Sequence, residues 1–118
     1  MIKGIGMDIV EIDRIQAIVD RQPKFISRIL TEQERMRFSK LKGNRRYEYF
    51  AGRYAAKEAF SKAWGTGIGK ELSFLDIEIM VEPSGKPYVS KPLKNGVHLS
   101  ITHSKEFAAA QVVIEEQE

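Results

Sequence analysis

The sequence contains no cysteine, which excludes a disulfide framework, a thiolate nucleophile and a cysteine-ligated metal. Its only two histidines, His98 and His103, make a zinc site built from several imidazoles an unfavourable hypothesis. No apolar run approaches the length of a membrane-spanning helix, and the chain starts directly on a strand-like pattern. We therefore expect a cytoplasmic protein that makes no use of a membrane.

What the chain does contain is sufficient for a hydrophobic core. It has 118 residues, of which 42% are hydrophobic and 30% charged, so we expect a single domain over residues 1–118. The net charge is +3, and basic residues are concentrated in the first half of the chain. This uneven distribution predicts an acidic partner, whether a phosphate, a nucleic acid or an acidic protein.

The N-terminal segment alternates in a way that predicts a β-strand over residues 2–10. Ile5, Met7 and Ile9 form its apolar side, while the other side carries two glycines and Asp8, its only charge. The bare glycine side allows another backbone or a ligand to approach closely. For Asp8 itself, the strand pattern is equally compatible with a structural and a functional role.

Three short helices are expected after this strand. The first begins at Glu11 and is broken by Pro23, and residues 24–28 form a short second piece. Thr31 and Glu34 have the spacing of a capping box, which predicts the start of a third helix. That helix should end at the glycine that precedes the central helix.

A long central helix is predicted from Asn44, as its N-cap, to Gly65. In this helix the carboxylate of Glu58 can hold a hard cation, and Lys62 and Ser61, one turn away, can meet phosphate oxygens. Taken alone, this stretch favours an ordinary amphipathic helix with a solvated Glu58–Lys62 pair. The glycine-rich loop after the helix is likewise either a phosphate-binding nest or a flexible connector. Helical spacing places four side chains on one face of the helix: Tyr54, Glu58, Ser61 and Lys62.

The second half changes to the period of β-strands. Residues 74–81 and 86–89 flank a turn, and residues 97–103 alternate again. Residues 107–114 combine an alanine run that favours helix with a Gln-Val-Val-Ile end that favours strand. The whole pattern predicts an α+β fold, in which helices, including the long central one, pack on an antiparallel β-sheet.

Three motifs resemble one enzyme family: residues 6–14 (GMDIVEIDR), 50–59 (FAGRYAAKEA) and 99–104 (LSITHS). In this order and spacing, the chain resembles the holo-acyl-carrier-protein synthases, which are small phosphopantetheinyl transferases. An aspartate in the first strand together with a helical W/F-x-x-K-E-A pattern is the signature of that family. Tyr54 stands here at the position of the usual aromatic residue, which matches the short bacterial form.

The resemblance implies a reaction and a metal. Enzymes of this type move the phosphopantetheine arm of coenzyme A onto a serine of an acyl carrier protein, releasing adenosine 3′,5′-bisphosphate, in fatty acid biosynthesis. Asp8 and Glu58 match the Mg²⁺ ligands of the family. Lys62, one turn after Glu58, would complete the catalytic set by neutralising phosphate charge. Whether Glu58 or a metal-bound water removes the serine proton stays open.

The resemblance also implies where the coenzyme and the carrier bind. Arg53 lies nearly opposite Glu58 around the helix, so Arg45, Arg53 and His103 are expected to serve a neighbouring subunit's pocket in a homotrimer. The carrier is expected to dock on the first helix and its continuation, at Arg14, Arg21, Lys24, Phe25 and Arg28. The positions that match the coenzyme pocket are Arg45, Arg53, Ser61, Lys62, Gly65, Thr66, Thr102 and His103.

Two other classes of protein are weaker hypotheses. A small nucleic-acid-binding module would use the basic first half and the tyrosines of the central helix, but no known binding motif is present, and we expect no nucleic-acid partner. A metal-dependent phosphohydrolase would use the same carboxylates without any carrier protein. The response to an apo-carrier protein separates both alternatives from a transferase.

Overall fold

The computed structural model describes all residues from 1 to 118. One strand is followed by four helices and then by four more strands, and a 3₁₀ helix covers Phe74–Asp76 before the second strand. The helices and strands are β1 (Ile2–Glu11), α1 (Ile12–Arg21), α2 (Lys24–Ile29), α3 (Glu32–Phe38), α4 (Asn44–Trp64), β2 (Glu78–Val81), β3 (Pro87–Lys91), β4 (Val97–His103) and β5 (Phe107–Glu115).

The strands form two antiparallel sheets around the long helix α4. One sheet has the order β1-β5-β4, and the other is the β2-β3 hairpin. In the larger sheet Asp8 pairs with Ala110 and Gly6 with Val112. This arrangement confirms the predicted α+β class with antiparallel sheets and a long central helix.

The glycine side of β1, and not its apolar side, faces the core. A Cβ atom on Gly4 would lie 2.1 Å from the carbonyl oxygen of Ala63, and one on Gly6 would lie 2.0 Å from that of Ala59. Only glycine therefore lets β1 approach the backbone of α4 this closely. Ile5, Met7 and Ile9, which the alternation had placed on an apolar face, are 65%, 63% and 64% exposed in the single chain.

Helix α4 is buried on almost all sides, whereas the sequence had predicted one buried and one exposed face. Ala56, Phe60 and Ala63, on the apolar face of the predicted amphipathic helix, are buried. Arg53, Lys57 and Ser61 are buried as well. The helix begins after Gly43, so Asn44 is its first residue and not its N-cap. Its last residue is followed by Gly65 in a left-handed conformation, with φ of 107°. None of the helices combines the length and the apolar character that crossing a membrane requires.

Three other predictions concern single elements of the fold. The capping box is present, because Thr31 accepts from the Glu34 amide and Glu34 accepts from the Thr31 amide. Residues 107–114 form a strand despite their alanine run, since β5 pairs with β1 on one side and β4 on the other. Residues 74–81, expected as one strand, divide into the 3₁₀ helix and the shorter β2.

Candidate active site

An acidic cavity of about 450 Å³ lies where β1 meets α1 and α4. Asp8 and Glu58, fifty positions apart in sequence, both line it, and Tyr54 and Arg14 line it beside them. The close packing of the glycine side of β1 on α4 brings the two carboxylates to the same opening. The prediction that these two residues converge is therefore met within one subunit.

Asp8 presents an unsatisfied acceptor here. Its Oδ2 atom is buried and has no hydrogen-bond partner. Its Oδ1 atom lies 3.3 Å from the Nζ atom of Lys62, which also donates to the carbonyl oxygen of Met7 at 2.9 Å. Since a buried acceptor without a partner is costly, Asp8 is prepared for a further ligand.

The surroundings of Glu58 disfavour its ionised form. Burial raises the pKa of Glu58 above its ordinary value, and the charge of Asp8 raises it further. Lys62 and the neighbouring Tyr54 hydroxyl lower the pKa of Glu58 and so act in the opposite direction. Burial, Glu58 and Asp8 in turn raise the pKa of Tyr54, so its phenol stays protonated as a donor. Two neighbouring carboxylates with too little positive charge around them favour a cation.

The oxygen donors of this cavity fit a hard divalent cation. Magnesium commonly takes only one or two protein carboxylates, with water and phosphate oxygens completing its coordination. The unpartnered Oδ2 of Asp8 and the carboxylate of Glu58 supply that number. No larger cluster of acidic, histidine or cysteine side chains that could hold a metal exists in the chain.

A second cavity, of about 320 Å³, lies on the other side of α4 and is predominantly basic. It is lined by Arg37, Arg45, Arg53 and His103, with Glu48 as its only acidic residue. Burial lowers the pKa of Arg53, whose guanidinium lies 4.1 Å from the centre of the Tyr49 ring. Its buried Nε atom has no hydrogen-bond partner. This cavity therefore offers convergent cationic donors, which suit phosphate groups.

The other predicted coenzyme residues are not gathered in either cavity. Gly65 and Thr66 line a separate opening in the glycine-rich loop after α4. Ser61 is buried, and its hydroxyl donates to the carbonyl oxygen of Glu58 at 2.6 Å. The expectation that this hydroxyl is displayed beside Glu58 is therefore wrong. Thr102 is exposed on β4, and alternation directs it away from the face that carries His103 and the second cavity.

The predicted docking residues, here called the basic border, lie on α1 and α2. Arg14 lies on α1 and lines the cavity itself. Arg21, Lys24 and Arg28 are exposed at the end of α1 and on α2, and Phe25 is half-buried between them. The geometry thus gives an acidic partner an exposed cationic surface that reaches the acidic cavity at Arg14.

Sequence reasoning missed several residues at these sites. Arg37 and Tyr49 line the basic cavity, and nothing in their local pattern distinguishes them from solvated helix residues. Tyr54 was placed on the Glu58 face but given no role, although its i,i+4 spacing from Glu58 already indicated contact. Lys57 was assigned only as part of the motif, and its burial follows from tertiary packing.

Comparison with known proteins gives one consistent result. The model of the 4′-phosphopantetheinyl transferase superfamily matches residues 4–114. A holo-[acyl-carrier-protein] synthase from Listeria monocytogenes is 53% identical over 117 residues, covering 98% of this chain and 99% of the relative. Another from Bacillus cereus is 59% identical over 115 residues, covering 98% and 97%.

Solved structures agree with these relatives. A holo-(acyl-carrier-protein) synthase from Bacillus anthracis, in complex with CoA (3′,5′-ADP), superposes with a TM-score of 0.93 at 58% identity and covers 99% of both chains. One from Helicobacter pylori, in complex with coenzyme A, has a TM-score of 0.81 at 40% identity. That likeness covers 94% of this chain and 99% of the other.

Proposed function

The chain belongs to the 4′-phosphopantetheinyl transferase superfamily, among the holo-[acyl-carrier-protein] synthases, and we propose how its two cavities carry out the reaction. The enzyme transfers the 4′-phosphopantetheine group of coenzyme A to a serine of an apo-acyl carrier protein. The serine oxygen bonds to the phosphorus that bears the pantetheine arm. The bridging bond of the pyrophosphate breaks, and adenosine 3′,5′-bisphosphate leaves. The modified carrier then serves fatty acid biosynthesis.

One observation carries the assignment of the reacting centre: Asp8 and Glu58 line the same cavity, and the Oδ2 atom of Asp8 has no partner. Because the carrier brings the attacking serine, the enzyme needs no nucleophile of its own. It needs instead to bind a diphosphate and to balance the charge that develops on it. A pair of carboxylates cannot bind a diphosphate directly, since like charges repel, and this supports a cation between them.

We propose that Asp8 and Glu58 hold Mg²⁺. The chemistry that this ion supplies when bound is polarisation of the phosphate oxygens and neutralisation of the leaving group. Lys62 contributes an ammonium that now contacts Asp8 and the carbonyl oxygen of Met7 and can exchange these partners for phosphate oxygens. Tyr54 keeps its proton and lines the cavity beside Glu58, where its hydroxyl is available as a donor.

The basic cavity is proposed to bind the phosphates of the nucleotide half of coenzyme A. It lies on the other side of α4 from the carboxylates and shares no lining residue with their cavity. Within one subunit, the acidic and basic cavities therefore open on different sides of α4 and would contact different ligand molecules. We propose a homotrimer in which the basic cavity of one subunit faces the acidic cavity of the next. The exposed apolar face of β1 supports such an assembly, because a patch of this kind marks an interaction surface.

The carrier is proposed to dock on α1 and α2 at the basic border. Arg14 is the innermost of these residues, since it also lines the cavity. An acidic carrier would be steered to this surface by long-range attraction. Its binding should therefore weaken as the salt concentration rises.

Mass spectrometry of the reaction mixture tests the proposed function. Apo-carrier protein, coenzyme A and Mg²⁺ together should give a carrier heavier by one phosphopantetheine arm, with equimolar adenosine 3′,5′-bisphosphate. Omitting the metal and adding a chelator should stop the reaction. Metal-dependent release of phosphate without a carrier would instead indicate a hydrolase. Transfer that proceeds unchanged in excess chelator would refute the metal assignment.

A further inference from the structure

A buried lysine next to Glu58 in the sequence has no part in the reaction described above. Lys57 is 0% exposed, and its partner Glu34 is 1% exposed. The Nζ atom of Lys57 donates to Glu34 Oε1 at 2.6 Å, to the carbonyl oxygen of Ile29 at 2.6 Å and to that of Phe74 at 3.1 Å. All three donor positions of the ammonium are thus used, and none of them is directed at the substrate cavities.

Glu34 is bound with the same completeness. Its Oε1 atom also accepts from the Thr31 amide at 2.8 Å, and its Oε2 atom accepts from the Ile79 amide at 2.7 Å. The pair therefore connects α4 with the end of α2, the start of α3, the 3₁₀ helix and β2. A buried ion pair is often no more stabilising than an apolar replacement. What this one supplies is a specific arrangement of the segments that it joins.

One of the segments that this pair joins is α2, which carries the predicted docking cations Lys24 and Arg28. This six-residue helix meets α4 at both of its ends. At its start, the Phe25 ring lies 5.6 Å from that of Phe50 and 6.1 Å from that of Tyr54. At its end, the Ile29 carbonyl is held by Lys57. The exposed cations of α2 are thus placed relative to Glu58 by the residue that precedes Glu58 in α4.

We propose that Lys57, through its pair with Glu34, is a positioning residue that fixes the carrier-docking helix α2 relative to the carboxylates of the acidic cavity. This inference depends on the proposed function, because it assumes that the carrier docks on α2. Lys57 touches no substrate, so its loss should misplace the docked serine without disturbing the coenzyme. A misplacement of the reacting groups by about 1 Å can cost about a hundredfold in rate.

The Lys57→Met variant tests the proposal, since methionine keeps most of the buried length and removes the three hydrogen bonds. We expect kcat/KM for the carrier to fall between about tenfold and a hundredfold, with a higher KM for the carrier. The KM for coenzyme A should stay within about twofold of the native value. Hydrogen exchange should become faster in residues 24–31 while β1 and β5 keep their protection.

A matched control separates positioning from general loss of stability. Ile114 is fully buried at the end of β5 that is remote from the Asp8–Ala110 pair, and it belongs to neither cavity. Ile114→Ala should lower the melting temperature by an amount comparable to Lys57→Met. It should leave both KM values and the exchange of residues 24–31 unchanged. An equal rise in carrier KM in both variants would overturn the proposal.

If Lys57→Met does not fold, Lys57→Arg replaces it. The guanidinium keeps the charge and the donors but is larger, so the protein should fold with α2 displaced. The carrier KM should rise several-fold at constant KM for coenzyme A, and a native carrier KM would overturn the proposal. Failure of the proposed function is recognised separately, because the native enzyme would then transfer nothing to the carrier. Hydrogen exchange of α2 would still report whether Lys57 positions it.

Discussion

The two cavities beside α4 are opposite in charge but incomplete in the same way. Two buried side-chain atoms in the protein lack a hydrogen-bond partner: Asp8 Oδ2 and Arg53 Nε. One is an acceptor in the acidic cavity, and the other is a donor from a residue that lines the basic cavity. Each cavity therefore contains one buried polar atom that is available to a ligand of opposite charge, an acceptor on Asp8 and a donor on Arg53. A magnesium–diphosphate ligand carries both kinds of partner in one molecule.

The contrast with the Lys57–Glu34 pair shows that this incompleteness is local. That pair is more deeply buried than either cavity, yet its donors and acceptors are all used. Burial shifts the pKa values against the charged forms in all three places, upward for Glu58 and downward for Arg53 and Lys57. The difference therefore lies in hydrogen bonding: the donors and acceptors of the Lys57–Glu34 pair all have partners, whereas each cavity keeps one buried polar atom without a partner.

Removing the acidic half of this comparison should have the largest effect. We expect Glu58→Ala to lower the rate of transfer by about a thousandfold, because it removes one of the two carboxylates that are proposed to hold the cation. The rate is measured as carrier modified per unit time, with circular dichroism to verify the fold. Binding of Mg²⁺, measured by calorimetry, should weaken in parallel. A fully active Glu58→Ala enzyme would show that the acidic cavity is not the reacting centre.

The next effect concerns whether the two cavities belong to one site. Arg53→Met should lower kcat/KM for coenzyme A by about thirtyfold, as expected for losing one member of a buried charge contact. If the halves come from neighbouring subunits, mixed trimers of Arg53→Met and Glu58→Ala subunits contain some sites with both native halves. Random mixing at equal amounts should restore about a quarter of the native activity.

Subunit exchange must be verified in that experiment, for example by mass spectrometry of the intact assembly. Two copies of the same variant provide the control and should gain nothing from mixing. Mixed assemblies that form and stay inactive would place both halves of the site within one subunit. The apolar face of β1 would then need another explanation.

The sequence predicted the features that depend on interactions between residues close together along the chain. The capping box of α3, the glycine end of α4 and the strand β1 depend on neighbours within a few residues, and all three were predicted. The convergence of Asp8 with Glu58 came from the family resemblance. In the structure it follows from two glycines that let β1 lie against α4, a consequence that the spacing alone did not require.

Features that depend on distant partners were not predicted. Glu34 was assigned as a capping residue, which is correct, but its second role requires Lys57, twenty-three positions away. Ser61 lies on the helical face of Glu58, yet its hydroxyl bonds to its own helix and is unavailable there. The sequence identified the apolar side of β1 but not its exposure in the single chain, because alternation does not say what covers an apolar side.

The smallest effect should be on stability, and its sign should differ between the cavities. Because the pKa of Glu58 is raised in the fold, the folded chain holds that proton more tightly than the unfolded chain does. Ionised Glu58 therefore destabilises the metal-free fold fully above its raised pKa, and this penalty diminishes as the pH falls through that value and is absent below the ordinary pKa of a glutamate. Glu58→Gln should raise the melting temperature by a few degrees at pH 8, and by almost nothing below about pH 4.

Glu48→Gln provides the matched change in the basic cavity. Glu48 lies 3.9 Å from the imidazole of His103 and is the only acidic residue of that cavity. Removing its charge leaves the arginines less compensated, so the melting temperature should fall slightly at pH 8. Differential scanning calorimetry in chelator measures both variants, and added Mg²⁺ should stabilise the native protein more than Glu58→Gln. If both variants shift the melting temperature equally and in the same direction, the two cavities do not have opposite charge. Removing one carboxylate relieves repulsion in an acidic cavity but removes a compensating charge from a basic one.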